Sequence, residues 1–276
     1  EMMGTDKGLK SAVKHFTSYA KKYRKDPEQT ARVVEALSRA GVDLKKINKK
    51  KNRRKATKIL NDCITTFNSM GTADNAVARN FAAQAKFELV EYVYDDFFAL
   101  EIKTRNFKTL KKTLTEKAEK QQEAVTGYFE VLEFKSGGVS SGALFRIGKL
   151  FYDFSATLFN VPIPEELPIE VQDEYIFALE KMAAPIQEKS LSAFVQALRF
   201  AQEKKVYNEW SKSAAEYASK VNPDEFPISS EPAAQPIHSK DTLLSTNFIR
   251  SLRQGDIDVP MIEMKEETLT RRKGSK

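Results

Sequence analysis

Few residues in this chain combine the types and the spacing that chemistry requires. Glu91, Asp95 and Asp96 lie close together, and neighbouring carboxylates can act as general acid and base or hold a hard cation. The two histidines, His15 and His238, stand far from them and from each other in sequence. No Gly-rich phosphate loop or nucleophile motif accompanies the acids. Cys63 is the only cysteine, which excludes an intrachain disulfide and a cysteine-based zinc site but says nothing about compartment. With no converging constellation, the chain reads as non-catalytic, with no catalytic residue, cofactor or metal.

A stronger signal is electrostatic. The net charge is +7, yet residues 45–58 hold nine cations and no acid, so the remainder of the chain carries −2. Lys49, Lys50, Lys51, Arg53, Arg54 and Lys55 form the densest part and are candidate anion-binding residues. Such a segment suits nucleic acid, an anionic lipid surface or a cell-wall polymer. Nucleic acid is the least favoured of these, because no aromatics interleave to stack on bases and no DNA-reading motif is present. The plainer reading is a solvated loop between two helices.

These residues must be positioned by helices. In 276 residues there are only 11 Gly and 10 Pro, while Ala, Lys, Glu and Leu abound, which favours an all-α chain. No run approaches the length of apolar sequence that spans a bilayer. Apolar residues recur at helical spacing over 8–25, 30–40, 56–70, 76–102, 115–134 and 143–153. Asp26-Pro27-Glu28 marks a helix start, and Gly41 is expected to end the helix before it. A loop at 161–168 leads to an extra helix ending at Ala184, and Pro185 is expected to begin a separate partner helix.

In 143–153, Leu144, Ile147, Gly148 and Phe151 match the first helix of a tetratricopeptide (TPR) hairpin, with Gly148 leaving room for a neighbouring helix. Lys86, Leu89, Val90 and Val93 occupy the same places in an earlier copy. Trp210, Ser213, Ala214 and Tyr217 occupy them in a later one. Phe87, Leu89, Tyr94 and Asp95 thus recur as Phe145, Ile147, Tyr152 and Asp153. The architecture expected is an irregular TPR-like α-solenoid over 1–227, with hairpins at about 8–70, 76–135 and 141–204 and a capping helix at 208–221. A Pro-containing linker and a mobile charged tail are expected over 228–276, with one short helical pattern at 242–253.

In such a superhelix the first helices line a concave groove. The side chains expected to face it are Phe87, Glu91, Tyr94 and Asp95 in one hairpin and Phe145, Lys149, Tyr152 and Asp153 in the next, giving aromatic anchors beside hydrogen-bonding carboxylates. The other reading is that these side chains pack and pair locally. An insert at 154–185 covering the groove would decide for that reading.

The segments AlaLeuPheArgIleGlyLysLeuPheTyrAspPhe (143–154), ValProIlePro (161–164), ProIleGlnGluLysSerLeuSerAlaPhe (185–194), ValTyrAsnGluTrp (206–210) and AsnProAspGluPhePro (222–227) stand in a distinctive order. They resemble the envelope TPR proteins of predatory and gliding δ-proteobacteria, the adventurous-gliding-motility type, over 76–227. The resemblance implies a periplasmic, non-catalytic scaffold mediating protein–protein interactions in a cell-envelope or motility complex. Its partners would be other proteins of that complex, with oligomeric state undetermined. No leader is visible at Glu1, and a chain opening on Glu is what removal of one would leave. Val90 stands where the motif has Gly, and the basic segment has no counterpart in the resemblance.

Overall fold

Helix boundaries follow from local chemistry wherever a polar side chain can take the amides that the first turn leaves free. Thr5 Oγ1 accepts from Gly8 N, Asn75 Oδ1 from Val77 N and Ala78 N, and Asn106 Oδ1 from Thr109 N. Asn208 and Ser211 form a reciprocal capping box. Asp26 accepts from Glu28 N and opens a short 3-10 turn, Pro27–Gln29, as its sequence suggests.

The computed structural model describes residues 5–69 and 75–227. Among them there are eight α-helices and no strand: α1 Asp6–Tyr23, α2 Thr30–Ile47, α3 Lys49–Ser69, α4 Ala76–Ala99, α5 Phe107–Leu132, α6 Gly137–Phe159, α7 Gln172–Lys204 and α8 Glu209–Val221. Consecutive helices pack as hairpins, and α2, α4, α6 and α8 also touch in turn, forming a continuous row. None of the described helices is long and apolar enough to cross a membrane. The linker, tail, His238 and the 242–253 pattern lie outside the described residues.

Three local expectations are corrected by packing. Gly41 does not end α2, which runs on to Ile47, because the next turn still buries Asp43 and Leu44. A side chain at Gly41 would collide with Leu60 of α3, so the glycine serves close helix approach. The basic segment is not a loop, since the chain breaks only at Asn48 and Lys49 already begins α3.

Pro185, finally, does not begin a helix. It lies inside the single helix α7 despite its missing N–H. The reason is a strip along one side of α7, Tyr175, Leu179, Ala183, Ser190, Phe194, Ala197 and Ala201, which stays buried on both sides of the proline. Lys181 and Pro185 are both exposed, so water can satisfy the carbonyl that the proline leaves unpaired.

The central helix is α4. Its alanines Ala78, Ala82 and Ala85 join the core of α1–α3, while Phe87, Val90, Tyr94 and Phe97 join the core built with α5, α6 and α7. Gly148 has the role its spacing suggests: a Cβ there would lie 2.6 Å from Phe194 Cε1. The same addition at Gly138, in the first turn of α6, meets nothing within 4 Å. Gly148→Ala should therefore destabilise by about 1–3 kcal/mol through overpacking. Gly138→Ala should be neutral or slightly stabilising, because helix propensity acts there alone. Urea unfolding of the two variants checks this, and equal midpoints would dismiss the Gly148 contact.

Candidate functional site

Of the eight side chains expected in the groove, three aromatics are built into the interior and the other five are partly exposed. On α4, Phe87 and Tyr94 are buried; on α6, Phe145 is buried. Trp210 of α8 bridges the two copies, with ring centroids 6.0 Å from Phe87 and 5.7 Å from Phe145. Tyr152 is half-buried, edge-on to Tyr217 of α8 at 5.2 Å. Phe87, Tyr94 and Phe145 are therefore core rather than groove anchors. The core that takes Phe87 and Tyr94 also holds Val161, Leu167, Tyr175, Leu179 and Ala183 of the 154–185 segment, and Phe145 packs on Phe194 of α7 at 5.9 Å.

At the centre of this interior is Arg146, which spacing arguments overlooked. Its Nε and Nη2 donate to the two carboxylate oxygens of Glu91, each at 2.9 Å, and Nη1 donates to the Tyr94 hydroxyl at 3.1 Å. The guanidinium also lies over the rings of Tyr94 and Trp210, at 4.3 and 5.0 Å. Tyr128 of α5 donates its hydroxyl to Glu91 as well. Burial opposes the Arg146 charge, but Glu91 together with Tyr94 and Tyr128 outweighs it and holds the guanidinium pKa above its usual value. Burial pushes the Tyr94 and Tyr128 phenols far above theirs. Glu91 is already engaged by three donors, so the cluster clamps helices rather than offering a free acid or base.

The second Tyr-Asp pair is not equivalent to the first. Asp153 pairs with Lys149 on its own helix, and burial raises the Asp153 pKa against the pull of that lysine. Asp95 points the other way, to Lys49 of α3. Nearby, Lys117 donates to the carbonyls of Phe97 and Leu100 at 3.0 and 2.9 Å, closing the C-terminal end of α4. Burial lowers the Lys117 pKa.

The basic segment splits into two sets, apart from Lys46, which lies 3.8 Å from Asp43 on its own helix. Its inner members zip onto α4. Lys45 Nζ lies 2.5 Å from Glu88 Oε2, Lys49 pairs with Asp95, and Arg53 grips Asp96 with both Nη atoms, at 2.6 and 2.5 Å. Tyr92 lies beneath Lys45 and Arg53, 4.8 and 5.0 Å from ring centre to charge. The Arg53 hydrogen bond is the main reason the Asp96 carboxyl titrates below the usual carboxylate range. Glu91, Asp95 and Asp96, adjacent in sequence, are therefore parted between α6 and α3.

The outer members are Lys50, Lys51, Arg54, Lys55 and Lys58. All five are exposed, and their charged groups have no partner among the described residues. At 100° per residue they fill one arc of α3, opposite the buried Ala56, Leu60 and Cys63. Cys63 donates its thiol to Val34 O at 3.3 Å, and burial raises its pKa to about 12, so it is no nucleophile. His15 lines an open cleft of about 680 Å³ between α1 and α2 with Phe16, Tyr19, Tyr23, Arg32 and Glu35. Among the described residues no group of three His, Cys, Asp or Glu side chains could hold a metal ion.

Comparison with protein-family models, with curated proteins and with solved structures finds no match to this chain.

One sequence signal for Arg146 existed: it is a charge inside the apolar run AlaLeuPheArgIleGly, where burial demands a partner. No sequence signal marked Lys117. Arg146→Met should cost about 3–5 kcal/mol by stranding the Glu91 carboxylate. Adding Glu91→Gln, which keeps an acceptor for Tyr128, should recover more than half of that loss. Urea unfolding of both variants gives the comparison, and a single variant as stable as the parent would remove the pair from this role.

Proposed function

We propose that this chain is a non-catalytic helical binding module that takes a linear polyanion along the outer face of α3. The carrying observation is the set of five exposed, unpartnered cations at Lys50, Lys51, Arg54, Lys55 and Lys58. Folding alone does not favour this arrangement. Like charges at i and i+4 repel, and α3 carries no acid in its first turn, where the helix dipole is positive. An anionic chain laid along the face relieves both penalties and gains the release of its counterions.

The face has no aromatic side chain among its five cations, so the feature read is backbone charge rather than base sequence. The inner cations Lys45, Lys49 and Arg53 are already neutralised by α4 and hold the face in place. The α-solenoid and envelope setting belong to the same proposal. The contacts of α2, α4, α6 and α8 in turn, the order that successive first helices of TPR hairpins would have, support the solenoid, while the envelope setting rests on the sequence resemblance alone. A protein-binding groove of the envelope-scaffold kind loses ground, because its aromatic anchors Phe87, Tyr94 and Phe145 are buried.

Titration of the full chain with heparin and with duplex DNA should give affinity falling steeply with salt. Neutralising Lys50, Arg54 and Lys58 to Gln should weaken binding at least tenfold and lower the logarithmic salt slope by about 3, with helicity retained. Salt-insensitive binding, or binding unaffected by the triple variant, would overturn the reading. Capture by anionic vesicles but by neither soluble polymer would reassign the face to a lipid surface.

A further inference from the structure

The N-terminal part of α7 exposes an apolar strip that nothing in the described fold covers. Ile169, in the 3-10 turn leading into α7, is 81% exposed, Phe177 66% and Ile176 39%. At helical spacing these three share one side, while Tyr175 and Leu179 on the other side enter the core. Asp173 and Glu180 lie on the same side between these residues, and Glu170 and Glu174 along its edge, all exposed and without a partner among the described residues; Lys181 is the single cation in 169–181. Apolar contact interspersed with four free carboxylates selects an amphipathic segment carrying cations. It disfavours an anionic membrane.

This chain contains such a segment. Residues 242–253 read ThrLeuLeuSerThrAsnPheIleArgSerLeuArg, with no acid and two arginines. On a 3.6-residue repeat Leu244, Phe248 and Leu252 align at i, i+4 and i+8, with Ile249 beside them and Arg250 and Arg253 at the flanks. We propose that residues 242–253 dock in cis on the Ile169, Ile176 and Phe177 strip of α7, their arginines facing the surrounding carboxylates.

The reach is sufficient. Phe226 packs in the cluster that contains Phe194. From Phe194 to Phe177 is about 26 Å along α7. The intervening stretch 228–241 spans up to about 46 Å when extended. A tether of that length holds the segment at an effective concentration in the millimolar range, so a contact of this size suffices for occupancy. This inference does not rest on the polyanion reading, which concerns a different face.

The test is hydrogen–deuterium exchange on the full chain, resolved by peptide fragments and run at low and high protein concentration. Amides of 243–252 should exchange at least tenfold more slowly in the parent than in the double variant Ile176→Asp with Phe177→Asp, at both concentrations. Both positions are exposed, so circular dichroism should show the fold retained. From the other side, Phe248→Asp should speed exchange over 242–253 and leave the α4–α6 core protected. Equal exchange in parent and variants would overturn the proposal. So would protection that appears only at high concentration together with dimers in sedimentation, since the occupant would then be a second copy of the chain.

Discussion

The bidentate pair between Arg146 and Glu91 is the constraint on which the arrangement of the larger core depends. It ties α6 to α4, recruits Tyr128 from α5, and gives Trp210 of α8 a cation to lie against. A buried pair of this kind contributes little net stability compared with apolar residues of the same shape, because both charges must be desolvated. What it supplies is specificity: a slip of α6 along α4 by one turn would leave a carboxylate and a guanidinium unpaired in the interior. The near-contact of Gly148 with Phe194 fixes the other side of α6 in the same way, by shape instead of charge.

That interior clamp determines which side chains remain open to solvent. Because Arg146, Trp210 and Tyr217 fill the space between α4, α6 and α8, Phe87, Tyr94 and Phe145 become core, and the free charges lie on outer faces. On α3 the division is electrostatic. The cations turned toward α4 are neutralised by Glu88, Asp95 and Asp96 and pack on Tyr92, while those turned away have only solvent. One basic run thus divides into a paired and a free set according to helical phase. The exposed strip of α7 is the apolar and acidic counterpart, at a separate place in the fold.

Much of this was legible in the residues. The helices beginning near Ala76 and Glu209 follow from apolar periodicity, and the likeness between Phe87-Tyr94 and Phe145-Tyr152 pairs α4 with α6, although the glycines Gly137 and Gly138 read as a break and not as the first turn of α6. Gly148 was identified as a close-approach site from its spacing alone. Less legible were Gly41 and Pro185, where local preference for a break was overruled by apolar residues continuing beyond it. The basic run reads as a loop because charge density masks the phase that places Ala56 and Leu60 on one side of α3.

By itself the sequence determined that the described chain is helical, the order of its hairpins, and which side of most helices is apolar, since these depend on neighbours three and four residues away. Only the tertiary structure decided which polar groups are spent on internal pairing and which remain free. The partners concerned are far apart along the chain: Glu91 meets Arg146 across 55 positions and Arg53 meets Asp96 across 43. No local pattern encodes such a pairing, because each side chain satisfies the same helical periodicity whether its charge ends against another helix or in water.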